Sequence, residues 1–437
     1  MKKLILLLTF LILACKEDPP IAPPDPPPPP TVINDTLEVS IIDFTHISIV
    51  VNVKNTKNNP NSFVELYRTE NRIGYLVAEY PITITDTTIV DDNSGNDLEL
   101  NTEYGYYVVR RDTSGARKDT SSIAYAATLE ATAFNYTWEE FSIGSSQYGP
   151  NVLYDVWGSS ETDVWAVGGF YDDNNTNYGA LHYNGSEWTP DSTAGGVAIH
   201  GFSANDIWTA GGGVYHFNGS QWEKIDSYSS GNQGIPLDEV LYNNRPYSSI
   251  WGTSSNNLYF GNQRGVIVHW NGTNASVVYT HDSQVAVQDL DGYSKDYILG
   301  VGIGLVPPLL VVNYDGSNWN KLTVANDPSM YSVAILTKKL SYFAGNGIYQ
   351  MRDNSFSRTY TSGYEMYDVE YNHQNGVIAA CGPFDGIYIN NGIEWRDYRG
   401  QITSENIRYY NIFMINNTIF CVGSTLNEAK IIVGKNY

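Results

Sequence analysis

Val152-Leu153-Tyr154-Asp155-Val156-Trp157-Gly158 is followed by Ser159-Ser160-Glu161-Thr162 and then by Asp163-Val164-Trp165-Ala166-Val167-Gly168. After a loop comes Gly179-Ala180-Leu181-His182-Tyr183-Asn184-Gly185-Ser186-Glu187-Trp188. Short runs rich in β-branched and aromatic residues, broken by Asp, Asn and Gly, read as strands and turns. The phrase returns as Ile199 to Trp222, and less completely from Ile250.

Aligned on the Gly that ends the second strand, the copies give Gly168, Gly211, Gly261, Gly300, Gly345, Gly382 and Gly423, spaced 43, 50, 39, 45, 37 and 41 residues apart. A period near forty with four short strands per unit is that of β-propeller blades. The third turn reads Tyr183-Asn-Gly, Phe217-Asn-Gly, Trp270-Asn-Gly and Tyr314-Asp-Gly. These pairs suit tight hairpins in which both residues take positive φ. Fourth strands carry Trp188, Trp222, Trp319 and Trp395, with degenerate versions at Gly272 to Val278 and Asn354 to Tyr360. The seventh repeat stops after Ala429 to Gly434, and Tyr136 to Ile143 supplies its missing strand. The expectation is a seven-bladed propeller over residues 131–437, closed by an N-terminal outer strand, which leaves no open sheet edge. The Trp-Gly-Ser-x-x-x-Asp-Val-Trp-Ala-Val-Gly phrase resembles bacterial propellers of the WD40-like and YVTN-like kind. That resemblance implies architecture rather than function.

Residues 31–130 hold no Trp and alternate as strands. Ile47, Ile49, Val51 and Val53 are expected on one face, and Ser48, Val50, Asn52 and Lys54 on the other. Leu98, Thr102 and Tyr104 sit at the spacing of the tyrosine corner, so this part resembles a fibronectin type III domain. Val51 or Val53 stands where that family carries its core Trp. The fold class is therefore all-β: a sandwich followed by a propeller.

The chain opens with Met1-Lys2-Lys3 and an apolar run, Leu4 to Leu13, too short to span a bilayer. Ile12-Leu13-Ala14-Cys15 resembles a bacterial lipobox, which implies a signal peptide over residues 1–14 and diacylation of Cys15. Nine prolines within residues 19–30 make residues 15–30 a semi-rigid stalk. Lys16-Glu17-Asp18 resembles the export tag of some Gram-negative lipoproteins. The expected address is the outer membrane, held through acyl chains and facing the cell exterior.

Lys plus Arg number 25 against 47 Asp plus Glu, a formal charge of −22, which argues against nucleic acid. No nucleophile elbow, HExxH or phosphate loop is present. Not an enzyme, then, but a surface-anchored binding or scaffold protein is expected, recognising a glycan, peptide or protein. One alternative is a glycan-active hydrolase or lyase on a sialidase-like propeller, although none of the seven propeller Arg residues sits in that family's setting and Arg245-Pro246-Tyr247 is the nearest. Another is an outer-membrane assembly subunit.

The binding rim is expected on the face bearing the second-to-third-strand loops and the links between blades. Two long segments fall there: Tyr171, Asp172 and Asp173 in one, Tyr228, Tyr242, Arg245 and Tyr247 in the other. Tyr rings beside Asp, Asn and Arg suit sugars or peptides. No cofactor is implied. Asp289, Asp291 and Asp296 have acidic spacing that suits calcium, in what reads as a first-to-second-strand turn. His200, His216 and His269 read as strand residues. Trp157, His200 and Trp251 align near the central channel, and Trp165 and Trp208 read as inter-blade core. Cys381 and Cys421 end second strands in adjacent blades, a placement read as too far apart for disulfide geometry, which predicts two buried thiols.

Overall fold

The computed structural model describes residues 37–56, 62–70, 73–81, 85–225, 247–281, 285–304, 310–324, 329–403 and 405–437. Cys15 and the Pro-rich run lie outside them. The chain divides into two compact units. One comprises Asn52–Thr88 and Glu103–Ala126 with the segment ending at Ser40; the other comprises Ile41–Val51, Ile89–Thr102 and Ala127–Tyr437.

Ahead of residue 130, Leu37–Phe44, Ile49–Asn55 and Asp86–Asp91 form a three-stranded sheet. Ile73–Pro81, Ser62–Glu70, Glu103–Asp112 and Arg117–Thr120 lie side by side in a second sheet, with Ala124–Ala127 also on Glu103–Asp112. Ile49, Val51 and Val53 are buried as their alternation requires. Ser48 and Val50 are buried too, so both faces of that strand are covered at its start.

From Tyr136 on, the described residues form seven four-stranded antiparallel sheets. Their first strands are Val152–Ser160, Ala198–Ser203, Tyr247–Ser254, Val285–Ser294, Met330–Thr337, Asp368–Tyr371 and Arg408–Ile415. In six sheets the strands follow in chain order, and in the last the fourth place is taken by Tyr136–Ile143, antiparallel to Ala429–Asn436. Apolar side chains fill each junction. Trp165 packs with Ile199, Ile207 and Trp222, and Trp208 with Ile250, Leu258 and Phe260. Leu153 and Val156 of the first sheet pack with Phe420, Val422 and Ile431 of the last, which closes the ring. Burying each such side chain contributes about 1.5–3 kcal/mol.

Histidines brace the sheets from the third strand. His182 bonds Asp163 at 2.6 Å and stacks on Trp165. His216 does the same with Asp206 and Trp208, and His269 with Asn257 and Tyr259. These carboxylates and amides open the second strands, so one turn residue orients the ring that covers its own aromatic neighbour.

The register corrects two expectations. Leu153 pairs with Gly168, but the equivalent place in the third sheet is taken by Asn262, beside Gly261, and in the fourth by Gly302, two residues past Gly300. In the third turn only the Gly has positive φ: 94° at Gly185, 90° at Gly219, 91° at Gly272 and 91° at Gly316. The Asn or Asp ahead of it works through its side chain instead. Asn184 Oδ1 accepts from the Ser186 and Glu187 N–H groups at 3.0 and 3.1 Å, in a four-residue loop closed by Tyr183 opposite Trp188. A Cβ on Gly185 would also lie 2.9 Å from Thr162. Gly185→Ala should therefore cost about 1 kcal/mol, read from urea unfolding. An unchanged midpoint would contradict this account of the turn.

Cys381 and Cys421 are free and buried, but they are not separate. Both lie in one core cluster and their thiols hydrogen-bond each other. The side chains of adjacent sheets converge here, which spacing along the strands does not reveal. Burial, then the neighbouring thiol, pushes Cys381 well above the ordinary thiol range. Because the thiolate is the reactive form, both should react with maleimide roughly 100-fold more slowly in the native protein than after unfolding. Fast native labelling would contradict the packing.

Candidate functional site

Near the start of five first strands the pairing register slips by one residue, at Tyr154, Ser248, Gln288, Tyr331 and Tyr410. In the sixth sheet Tyr367 immediately precedes the strand, bonding back to Cys381 O. An extra residue in a ladder re-aims its side chain. All six side chains line a cavity of about 450 Å³ at the mouth of the central channel. Four are tyrosines from four sheets, and they form an arc. Ring centroids lie 5.4 Å apart for Tyr331–Tyr367, 6.1 Å for Tyr367–Tyr410 and 5.5 Å for Tyr154–Tyr410. At the arc's edge Arg408 bonds the Tyr410 hydroxyl and Glu365 the Tyr331 hydroxyl. Gln263, from the second-to-third-strand loop of the third sheet, also lines the mouth, so it opens on the face where binding was expected.

Below the arc the first strands carry carboxylates. Asp155 Oδ2 accepts from Ile199 N–H at 2.7 Å, Asp289 Oδ2 from Val333 N–H at 3.0 Å, and Asp368 Oδ2 from Ile412 N–H at 2.8 Å. Each bond reaches 44 residues along the chain into the next sheet. Asn411 Oδ1 accepts from Val156 N–H at 3.3 Å, across the junction of last and first sheets. These groups fasten the ring around its axis.

One layer deeper, a second cavity of about 220 Å³ is lined by Trp157, His200, Trp251, Asp291, Glu370 and Phe413 among others. Asp291 Oδ2 accepts from Ile335 N–H at 2.7 Å. Glu370 holds the matching position, opposite Ala379 as Asp291 is opposite Leu299. Its carboxyl makes no hydrogen bond or ion pair among the described residues, whereas its counterpart is spent on a strap. Desolvation raises all five acids: Asp291 and Asp368 to about 7, and Asp155, Asp289 and Glu370 in the same direction. For Glu370 the charges of Asp291 and Asp368 add to burial. His200 Nε2 meets Gly252 O at 3.1 Å, and burial lowers its pKa to about 4, so it is neutral at pH 7.

The expected rim is only partly on view. Tyr228, Tyr242 and Arg245 lie outside the described residues, and of Tyr247 only the backbone is described, paired with Asn262. Tyr171 is half-buried and Asp173 exposed. Asp172 is consumed locally: its Oδ1 accepts from the Thr176 and Asn174 N–H groups at 2.8 and 2.9 Å, bonds that hold its pKa low. Asp289 and Asp291 are not in a turn. They lie inside strand Val285–Ser294, and only Asp296 is in the turn that follows. Asp-Leu-Asp-Gly has turn composition, yet here the backbone of the next sheet satisfies the carboxylates. Among the described residues, no group of three or more His, Cys, Asp or Glu is placed to hold a metal ion.

No protein family and no curated protein matches the chain. Among solved structures, one of YCF48 bound to D1 peptide superposes with a TM-score of 0.51 at 12% identity, over 71% of this chain and 100% of that one. A crystal structure of the WD40 β-propeller domain of Doa1 gives 0.49 at 13% identity, covering 69% of this chain and 97% of that one. YCF48 from Cyanidioschyzon merolae gives 0.47 at 13%, covering 69% and 98%. At such identity the likeness to the first of these is one of fold alone, and together with the closed series of four-stranded sheets it identifies a β-propeller.

Proposed function

We propose that the chain is a lipid-anchored binding protein of the outer membrane, facing outward, whose seven-bladed propeller takes a peptide segment of a protein partner at the channel mouth. The observation that carries this reading is the arc of Tyr331, Tyr367, Tyr410 and Tyr154 around a cavity of about 450 Å³. Rings with polar tips grip an extended chain by stacking and orient it by hydrogen bonds. The solved YCF48 structure that shares the fold holds a D1 peptide, which supports a peptide as the ligand class. In this reading residues 1–14 are the signal peptide, Cys15 carries the acyl chains, residues 15–30 are the stalk, 31–130 a fibronectin type III-like spacer and 131–437 the propeller.

Two measurements test it. Labelled palmitate should enter the protein in cells and be lost in Cys15→Ser, since acyl chains are what hold such a protein to a bilayer. Equal labelling of the variant would remove the anchor. Peptide and glycan arrays probed with the full chain in detergent should give a saturable peptide hit, weakened about tenfold by Tyr367→Ala and kept by Tyr171→Ala, a tenfold loss being about 1.4 kcal/mol. A hit on glycans alone would overturn the ligand class, and loss in Tyr171→Ala would move the site to the rim loop.

A further inference from the structure

We infer that the channel mouth receives a lysine or arginine side chain projecting from the partner's peptide segment, with its charge seated among the channel carboxylates. This deepens the reading above and rests on it. The mouth and the deeper cavity share Asp155, Ile250, Asp289, Asp368 and Asn411, so a long side chain entering one continues into the other. The route begins at four tyrosine rings, whose faces attract a cation. It ends among Asp291, Glu370 and the strap carboxylates, and among the described residues no Lys or Arg lines either cavity. A flexible apolar stem with a charged tip matches that order of surfaces.

Glu370 gives the strongest local argument. At the matching place Asp291 is occupied by Ile335 N–H, but the longer Glu370 side chain has no such partner among the described residues. A half-buried carboxyl that faces like charges and takes no donor from the described residues gains from an incoming cation. The groups facing it are Asp155, Asp289, Asp291 and Asp368, with His200 neutral. A formal charge of −22 favours approach of a basic segment from a distance. Because burial and like charge raise these acids, Asp291 and Asp368 to about 7, affinity should be present above pH 7 and fall as the pH drops through it.

The test uses two pools of fluorescent nonapeptides, random except for a fixed central lysine or acetyl-lysine, titrated against the full chain in detergent at pH 8. The lysine pool should bind at least about tenfold more tightly, and Glu370→Gln and Tyr367→Ala should each reduce that binding about tenfold, because a site built for a charge rejects its neutral isostere. Equal binding of both pools, reduced by Tyr367→Ala but not by Glu370→Gln, would overturn the basic side chain and leave the peptide mouth standing. Lysine-dependent binding untouched by either substitution would be adsorption to the acidic surface, and would overturn the inference. Binding of neither pool would remove both readings.

Discussion

Lys430→Ala should destabilise the protein by about 3 kcal/mol, seen as a lower urea midpoint and a melting point lower by several degrees. Lys430 lies in Ala429–Asn436, the strand that pairs with Tyr136–Ile143 to complete the last sheet, and it is only 2% exposed. Its ammonium donates to Glu140 Oε1 at 2.9 Å and to Ser142 Oγ at 2.8 Å, both on the N-terminal strand. Glu405 is in contact, and Glu428 lies 3.4 Å away. Burial alone would lower the lysine's pKa, yet Glu405 and Glu140 carry it above the ordinary value. Removing it leaves three carboxylates facing one another at the seam. They are partly solvated, which keeps the loss toward the lower end of that for buried pairs. A change under about 0.5 kcal/mol would mean that the seam does not depend on this cation.

Glu370→Gln is expected to do the opposite and raise stability at pH 8. The sign follows from the direction of the shift. Desolvation first, then the charges of Asp291 and Asp368, raise the folded-state pKa. The folded protein therefore holds this proton where the unfolded chain has released it. The cost is absent below the unfolded value of about 4, grows as the pH rises through the gap and is complete above the folded pKa. Thermal melts of the two proteins should coincide near pH 4 and separate as the pH rises to 8. His200 and the other channel acids titrate in both, so the difference reports position 370 together with its coupling to Asp291 and Asp368. A variant less stable than the parent at pH 8 would show that Glu370 is satisfied where it stands. The same substitution is expected to weaken binding, a pairing of gained stability with lost function that marks a group kept for its ligand.

The repeat could be read from the chain because its punctuation is chemical: Asn184-Gly185 and its copies, with a Trp three residues on, set the third turn of several sheets. The alignment slipped where glycines crowd, since Gly300 and Gly302 flank a single Val and Asn262 replaces the Gly altogether. The mouth was harder to see. Tyr154, Tyr331, Tyr367 and Tyr410 are far apart in sequence, and only ring closure gathers them. A signal was nonetheless present. Each of these tyrosines stands directly before a small polar or acidic residue at or near the start of a first strand: Asp155, Ser332, Asp368 and Asn411. Loop length drew attention to the rim instead, where Asp172 turns out to serve its own turn. Asp289 and Asp291 were misplaced because turn and strap use the same carboxylate chemistry, one with local backbone and the other with a neighbouring sheet.

The most direct test of the channel as a cation-receiving site is proton release. Calorimetry of a lysine-centred peptide with the full chain, at pH 7 in two buffers of different ionisation heat, counts the protons that leave on binding. An incoming ammonium should strip protons from carboxyls held neutral by burial, so net release of a substantial fraction of a proton is expected, diminished in Glu370→Gln. Binding with no difference between the buffers would place the charge elsewhere on the surface and contradict the account.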